Sequence, residues 1–301
     1  MARLLEDEET VVALHRDHRG ESRFDREGFG ERCTLVQAEL TDVDSLRRIL
    51  DDHEVRTVFH LAAQTQVGPA NRAPLETWES NVRASYTLLE AARLEGDHLR
   101  VVVASSDKAY GSHSSLPYRE DSPLQPSYPY DVSKAATDMM ARAYASTFGM
   151  RVTVTRLANV YGPGDLNWER VIPQTARSLV RGERPVIRSD GTPERDYLYV
   201  EDAASAYVTV AKSLDDPEMN GRAWNAGMGF PIRVIDVVRR LIEISGRDLE
   251  PDIQGSGTPH GEIDRQFLDS AAIRAELGWE PSWDLDRGLE AAWAWYERAL
   301  S

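Results

Sequence analysis

Along the first half of the chain, short apolar runs alternate with longer stretches in which apolar residues return every three or four positions. Residues 11–14, 34–36, 57–61, 99–104 and 151–155 are rich in β-branched side chains and short enough to be strands. Between them, residues 44–52, 74–94 and 130–148 carry helical periodicity, as does the charged amphipathic start at 2–9. Parallel strands joined through helices need right-handed crossovers, so the pattern predicts an α/β fold around a doubly wound parallel sheet. After Gly162-Pro-Gly164 the rhythm breaks, with turn signals at Gly182, Asp190-Gly191 and Gly227-Met-Gly229. Helical patterns return at 200–214, 233–244 and 285–300. Residues 1–164 therefore read as the sheet-forming domain, with 200–227 returning to it. Residues 165–199 and 228–301 read as a smaller part that covers the substrate. Trp293, Trp295 and Tyr296 in the last helix are assigned to packing, because terminal helices bury such rings.

With 301 residues, 41% of them hydrophobic, the chain can bury one large core or two unequal ones. A net charge of −15 argues against nucleic acid and against an anionic membrane surface as partners, since both select for basic patches. Cys33 is the single cysteine, so an internal disulfide and a cysteine-based metal cluster are both excluded, and no metal site is expected. No apolar run approaches the roughly 20 residues that span a bilayer, and the expected location is the cytoplasm.

Candidate chemistry centres on Tyr130-Asp-Val-Ser-Lys134, because residues four apart on a helix lie side by side on one face. A lysine ammonium held there favours the tyrosinate, turning a phenol of pKa about 10 into a base usable near neutrality. Ser106-Asp107-Lys108 follows directly on the apolar strand at 101–104, where side chains project into the ligand crevice of a parallel sheet. A polar turn capped by Asp107 is the plainer reading of that tripeptide.

The ordered motifs resemble the extended short-chain dehydrogenase/reductases, and within them the nucleotide-sugar 4,6-dehydratases. They are His60-Leu-Ala-Ala-Gln64, Thr77-Trp-Glu-Ser-Asn81, Ser106-Asp-Lys-Ala-Tyr110-Gly, Tyr130-x-x-x-Lys134, Arg156-Leu-Ala-Asn159-Val-Tyr161-Gly-Pro, Arg195-Asp-Tyr-Leu-Tyr-Val-Glu-Asp202 and Leu277-Gly-Trp-Glu-Pro281. An acid directly after the catalytic hydroxyl resembles the 4,6-dehydratases more than the C4-epimerases, and with a lysine next, where the dTDP-glucose enzymes have a glutamate, Ser106-Asp107-Lys108 looks like the CDP-glucose 4,6-dehydratases. The resemblance implies a Rossmann-type sheet, NAD as cofactor and a sugar nucleotide as substrate. It further implies a homodimer through the helices at 74–94 and 130–148.

Roles follow from the same likeness. Tyr130 would deprotonate the sugar 4-hydroxyl, Ser106 would hydrogen-bond that oxygen, and Lys134 would tune Tyr130 and hold the nicotinamide ribose. Asp107 would protonate the departing 6-hydroxyl, while Lys108 either removes the C5 proton or orients Asp107. Ala62, Ala63, Gln64 and Asn81 resemble cofactor-binding positions, with packing as the alternative for the two alanines. Arg195 resembles the arginine that holds the sugar-nucleotide diphosphate, with a salt bridge to Asp196 or Glu194 as the alternative. Asn159 and Asn167 resemble further diphosphate or sugar contacts, or else shape their loops.

Two departures from the family stand out. The glycine-rich turn whose amides receive a dinucleotide pyrophosphate does not occur in the sequence. Aligned with the family, Met1 falls in the middle of the first helix, so a sheet built from these residues is expected to lack its central strand. At the end of the strand at 11–14, His15-Arg16-Asp17-His18-Arg19 replaces a clean acidic signal for NAD, and Arg16 leaves NADP open. Glu39 and Leu40 fall beside the expected adenine. The rival functions are a sugar-nucleotide 4-epimerase on the same scaffold and a relic unable to hold a dinucleotide.

Overall fold

The computed structural model describes residues 1–16, 22–258 and 262–301. Five strands of the first half run as expected: β1 Val12–His15, β2 Thr34–Gln37, β3 Thr57–His60, β4 Arg100–Ala104 and β5 Arg151–Leu157. Parallel pairing places Val58 opposite Val101, Val101 opposite Val152 and Val103 opposite Val154. The side chains of β4 from Val101 to Ala104 are all buried, as a parallel strand covered on both faces requires.

The sheet is split. β1 and β2 form a two-stranded parallel pair, whereas Ala223–Ala226, β5, β4 and β3 form a four-stranded sheet in that order. Among the described residues no strand joins β1 to β3. β1 and β2 are half-exposed along their length, and Leu14 and Leu35 face solvent in part.

Two compact units divide the chain: Met1–Ala109 with Pro129–Arg156 and Ala204–Trp224, and Tyr110–Tyr128 with Leu157–Ala203 and Asn225–Ser301. The core of the first unit joins Leu46 and Leu50 of the helix Val43–Asp52 and Leu88 and Leu89 of the helix Ala84–Glu95 to Val101, Val103, Val152 and Val154. The helix Val43–Asp52 starts where Asp42 Oδ1 accepts the amides of Asp44 and Ser45 at 3.1 and 3.2 Å, satisfying donors that no helical carbonyl reaches. The helical stretch expected over 74–94 is interrupted. A π-helical turn, Glu79–Arg83, separates Pro74–Trp78 from Ala84–Glu95 and carries Asn81, whose side chain is committed elsewhere.

The long helix Pro129–Phe148 is fixed against β5 by a buried ion pair. Arg156 Nε and its second terminal nitrogen reach the two oxygens of Asp138 at 2.7 and 3.0 Å, with both side chains almost wholly buried. Asp138 lies one turn beyond Lys134, so this fork sets the rotation of the helix face that carries Tyr130 and Lys134.

The second unit is built from short strands, including Asn159–Tyr161 parallel to Tyr197–Tyr199, around a core holding Trp293, Trp295 and Tyr296 with Ile172, Leu179 and Leu241. The family-like acids of this unit are buried acceptors. Asp196 takes the amides of Met228 and Gly229 at 2.9 and 3.1 Å, and Asp202 takes those of Ser282 and Trp283 at 2.8 and 3.0 Å. A Cβ at Gly227 would come within 2.4 Å of Asp196, which is why glycine stands there. No helix among the described residues is long and apolar enough to cross a membrane.

Breaking the buried fork should be costly, because it takes the paired carboxylate from a guanidinium held in the core. Asp138→Ala is expected to lower the free energy of unfolding, measured in urea, by about 3–5 kcal/mol. A loss below about 1 kcal/mol, the range of exposed pairs, would show that the pair does not anchor the helix.

Candidate active site

β4 hands its direction to the site through backbone geometry. The Ser105 amide donates to the Thr155 carbonyl at 2.8 Å, extending the ladder by one residue, after which the chain turns into the short 3-10 helix Asp107–Tyr110. Ser106 Oγ accepts the Lys108 amide at 3.2 Å and donates to Asp107 Oδ1 at 3.0 Å. The hydroxyl of Ser106 therefore caps the turn, a task the plainer sequence reading gave to Asp107. Asp107 and Lys108 are both buried, and Ser106 is half-buried.

The helix Pro129–Phe148 meets this strand end through Lys134. Lys134 Nζ donates to the Ala104 carbonyl at 2.5 Å, and Ser105 Oγ donates to the Lys134 carbonyl at 3.2 Å. The structure thus brings Lys134 to the end of the strand from which Ser106, Asp107 and Lys108 emerge. Tyr130 is buried one turn earlier, its carbonyl accepting Ser133 Oγ at 2.7 Å. Burial lowers the Lys134 ammonium to about 8, and the nearby Asp138 carboxylate opposes that shift. Near pH 7 the group is still mainly a cation, the state that favours a phenolate beside it.

A second arrangement joins positions that the sequence resemblance assigns to cofactor binding. Asn81 Oδ1 accepts the Gln64 amide at 2.6 Å, while its Nδ2 donates to the Gln64 carbonyl at 3.0 Å and to Ser133 Oγ at 2.8 Å. Asn81 thereby clamps the turn at 62–64 to the helix of Tyr130 and Lys134. Ala62 is exposed and Ala63 half-buried, so backbone there is open to a planar group. Arg16 and Glu39 are at the surface, with the Arg16 carbonyl accepting Gln37 Nε2 at 2.9 Å, and Leu40 packs on the core. Asp17, His18 and Arg19 lie outside the described residues.

The residues present fit the nicotinamide half of a dinucleotide: a buried ammonium, a tyrosine one turn away and a clamped small-residue turn. No glycine-rich amide cradle for the pyrophosphate occurs in this sequence.

In the second unit Arg195 pairs differently from the sequence alternative. Its terminal nitrogens donate to Glu262 Oε2 at 3.2 Å and to the carbonyls of Glu194 and Asp264 at 2.9 and 3.1 Å. The Asp196 carboxylate is occupied by backbone amides, and that of Glu194 is taken by Arg265 at 2.5 Å. Asn167 Oδ1 accepts the Glu169 amide at 3.1 Å, so its carboxamide shapes a turn. Among the described residues, Asn159 Nδ2 is buried without a hydrogen-bond partner, and so is the phenol oxygen of Tyr197, opposite it in strand register. Burial pushes the Tyr197 phenol up to about 12.

The sequence gives Tyr197 and His60 no role beyond their places in the Arg195–Asp202 and His60–Gln64 motifs. In the fold His60 is buried and reaches Ser85 Oγ with Nε2 at 2.9 Å. Burial first, and the Lys134 charge second, hold its imidazole down at about 3.

Tyr197→Phe removes a buried oxygen that lacks a partner. It should raise the unfolding free energy of the ligand-free protein by about 1–3 kcal/mol while weakening the binding of a nucleoside diphosphate. Unchanged stability and unchanged affinity together would remove Tyr197 from the site. The unfolded His60 takes its proton near 6.5, whereas the folded group stays neutral to about 3, so its contribution is complete above 6.5 and is lost as pH falls. Between pH 7 and 5 the native protein should lose roughly 2 kcal/mol more than His60→Gln, and equal losses would contradict the burial of a neutral ring.

Comparison with known proteins places the chain. The model of the NAD dependent epimerase/dehydratase family matches residues 1–227. The trifunctional UDP-glucose 4,6-dehydratase/UDP-4-keto-6-deoxy-D-glucose 3,5-epimerase/UDP-4-keto-L-rhamnose-reductase of Arabidopsis thaliana is 32% identical over 265 residues, which are 87% of this chain and 39% of that longer protein. The UDP-glucose 4-epimerase of Thermotoga maritima, solved with UDP-glucose, has a TM-score of 0.89 at 28% identity, covering 100% of this chain and 94% of its own. DesIV, the dTDP-glucose 4,6-dehydratase of Streptomyces venezuelae, solved with NAD and TYD bound, has a TM-score of 0.86 at 28% identity, covering 99% and 92%. NAD is the cofactor of these enzymes as a family. With the parallel sheet, the Tyr130 and Lys134 helix and most of its length matched, this chain belongs to the NAD dependent epimerase/dehydratase family.

Proposed function

We propose that this chain is an NDP-hexose 4,6-dehydratase, converting a nucleotide-activated hexose into its 4-keto-6-deoxy form. The observation that carries this reading is the buried Asp107 carboxyl, hydrogen-bonded to Ser106 at the strand end where the Lys134 ammonium docks. An acid in that position can protonate a leaving hydroxyl, a task that 4-epimerisation does not require.

In the proposed reaction Tyr130 accepts the proton of the sugar 4-hydroxyl, and Ser106 holds the same oxygen. Lys134 stabilises the phenolate and orients the nicotinamide ribose. NAD, held by Lys134 and the 62–64 turn, would supply the hydride acceptor for C4 and the hydride donor for C6. Asp107 gives its proton to the departing 6-hydroxyl, which leaves as water; a base takes the C5 proton and returns it to C5 when hydride reaches C6, and Lys108 is either that base or the residue that orients Asp107. In the second unit, Arg195, Asn159 and Tyr197 are the proposed contacts of the diphosphate and sugar, and Glu262 and two carbonyls aim the Arg195 guanidinium. Asn167 supports its loop. Ser106-Asp107-Lys108 favours CDP-glucose as substrate, while the relatives' names cite UDP- and dTDP-sugars. NAD is favoured at the adenosine end, with Arg16 leaving NADP to be tested.

A 4-epimerase is the second reading, because the Tyr130 and Lys134 apparatus serves it equally and the Thermotoga maritima epimerase shares the fold. Epimerisation removes no hydroxyl, so Asp107 separates the two. A homodimer is also proposed. Leu75, Trp78, Tyr86, Val132 and Met139 are exposed on the helices Pro74–Trp78, Ala84–Glu95 and Pro129–Phe148, and a second copy would cover them. The single free thiol Cys33 accords with a reducing, cytoplasmic setting.

Incubation with UDP-, dTDP- and CDP-glucose and GDP-mannose, each with NAD or NADP, should yield a 4-keto-6-deoxy product from one of them. Asp107→Asn should lower that turnover by about 100-fold or more. An Asp107→Asn protein that keeps most turnover and gives a C4 epimer would establish the epimerase instead. Met139→Glu should shift sedimentation to the monomer, and an unchanged native species would place any interface elsewhere.

A further inference from the structure

Four elements of the first unit meet in a buried polar chain that the proposed chemistry does not use. At its base His60, the last residue of β3, places Nε2 2.9 Å from Ser85 Oγ. Ser85 Oγ donates to the Asn81 carbonyl at 2.5 Å, and Thr137 Oγ1 donates to the same carbonyl at 3.3 Å. Ser85 has one proton, and two oxygens 2.5 Å apart must have it between them. His60 Nε2 therefore carries its own proton and donates to Ser85 Oγ. All four side chains, His60, Ser85, Asn81 and Thr137, are buried.

The carbonyl held from below belongs to the residue whose carboxamide works above. Asn81 sits in the π-helical turn, where Ala84 N reaches back to the Glu79 carbonyl and the ordinary helical register is lost. Its orientation is thus left to side chains. Oδ1 and Nδ2 together grip both backbone groups of Gln64, and Nδ2 also reaches Ser133, which is bonded to the Tyr130 carbonyl.

We infer that His60 is a positioning residue: by donating to Ser85 it fixes the Asn81 turn, and through Asn81 it locks the 62–64 turn to the helix of Tyr130 and Lys134. The inference rests on the reading of 62–64 as the cofactor-bearing turn. The lock explains why a histidine stands at the end of an apolar strand, where a valine would satisfy the core. Only a donor at that height reaches Ser85, and a glutamine can carry an amide donor to the same place.

The test is amide hydrogen exchange on the cofactor-free 301-residue protein, comparing the native chain with His60→Leu and His60→Gln. In His60→Leu the Gln64 amide should exchange about tenfold faster, while the amides of residues 101–103 keep their native protection. His60→Gln should restore Gln64 to near the native rate. Native protection of Gln64 in His60→Leu, an equal rise across the whole sheet, or no difference between the leucine and glutamine variants would each overturn the inference. If His60→Leu does not fold, Ser85→Ala carries the same test with the same expected rise. Dinucleotide binding by the native chain is measured separately, so a failure of the cofactor reading is distinguishable from a failure of the lock.

Discussion

A lysine ammonium docked on the last carbonyl of a parallel strand is the constraint around which the first unit is arranged. Lys134 loses water on burial, and that penalty is offset by the Ala104 carbonyl and the Asp138 carboxylate. The contact can form only if the helix Pro129–Phe148 has one height and one rotation against β4. The Arg156 to Asp138 fork sets the rotation, and the Ser105 hydroxyl on the Lys134 carbonyl sets the height. Ser106, Asp107 and Lys108 then leave the strand beside a cation already in place. The chemistry of the site follows from the ending of a strand more than from any one side chain.

That dependence also explains what could be read from the sequence. The strands and most helices follow from apolar periodicity, because burial on a sheet imposes periods that survive in one dimension. Tyr130 and Lys134 were legible because helical spacing alone brings them to one face. Asn81, as a cofactor position, was legible only by resemblance. Its clamp on Gln64 joins residues 17 apart, and its link to Ser133 joins residues 52 apart, separations that carry no local signature. Tyr197 and Glu262 escaped for the same reason, since an unsatisfied phenol and an aimed guanidinium exist only after folding. The interruption at Glu79–Arg83 was likewise invisible, because it follows from the long-range bonds of the buried Asn81 and not from a local breaker such as proline or glycine.

The split sheet bears on how the two ends of a dinucleotide would be served. In the proposed reading the nicotinamide end is served by Lys134, Tyr130, the 62–64 turn and the Asn81 clamp. The adenosine end relies on the half-exposed pair β1 and β2, where Arg16 and Glu39 lie at the surface. Binding energy at the first end and selectivity at the second are therefore physically separate. That separation is the reason the choice between NAD and NADP was harder to read than the catalytic pair.

The central claim is that oxidation at C4 and reduction at C6 occur on one bound sugar beside Tyr130, with Asp107 releasing water in between. Its most direct measurement is the fate of deuterium placed on C4 of the accepted sugar nucleotide. The account predicts a 4-keto-6-deoxy product with that deuterium on C6. Deuterium retained on C4 of an epimerised sugar would contradict it.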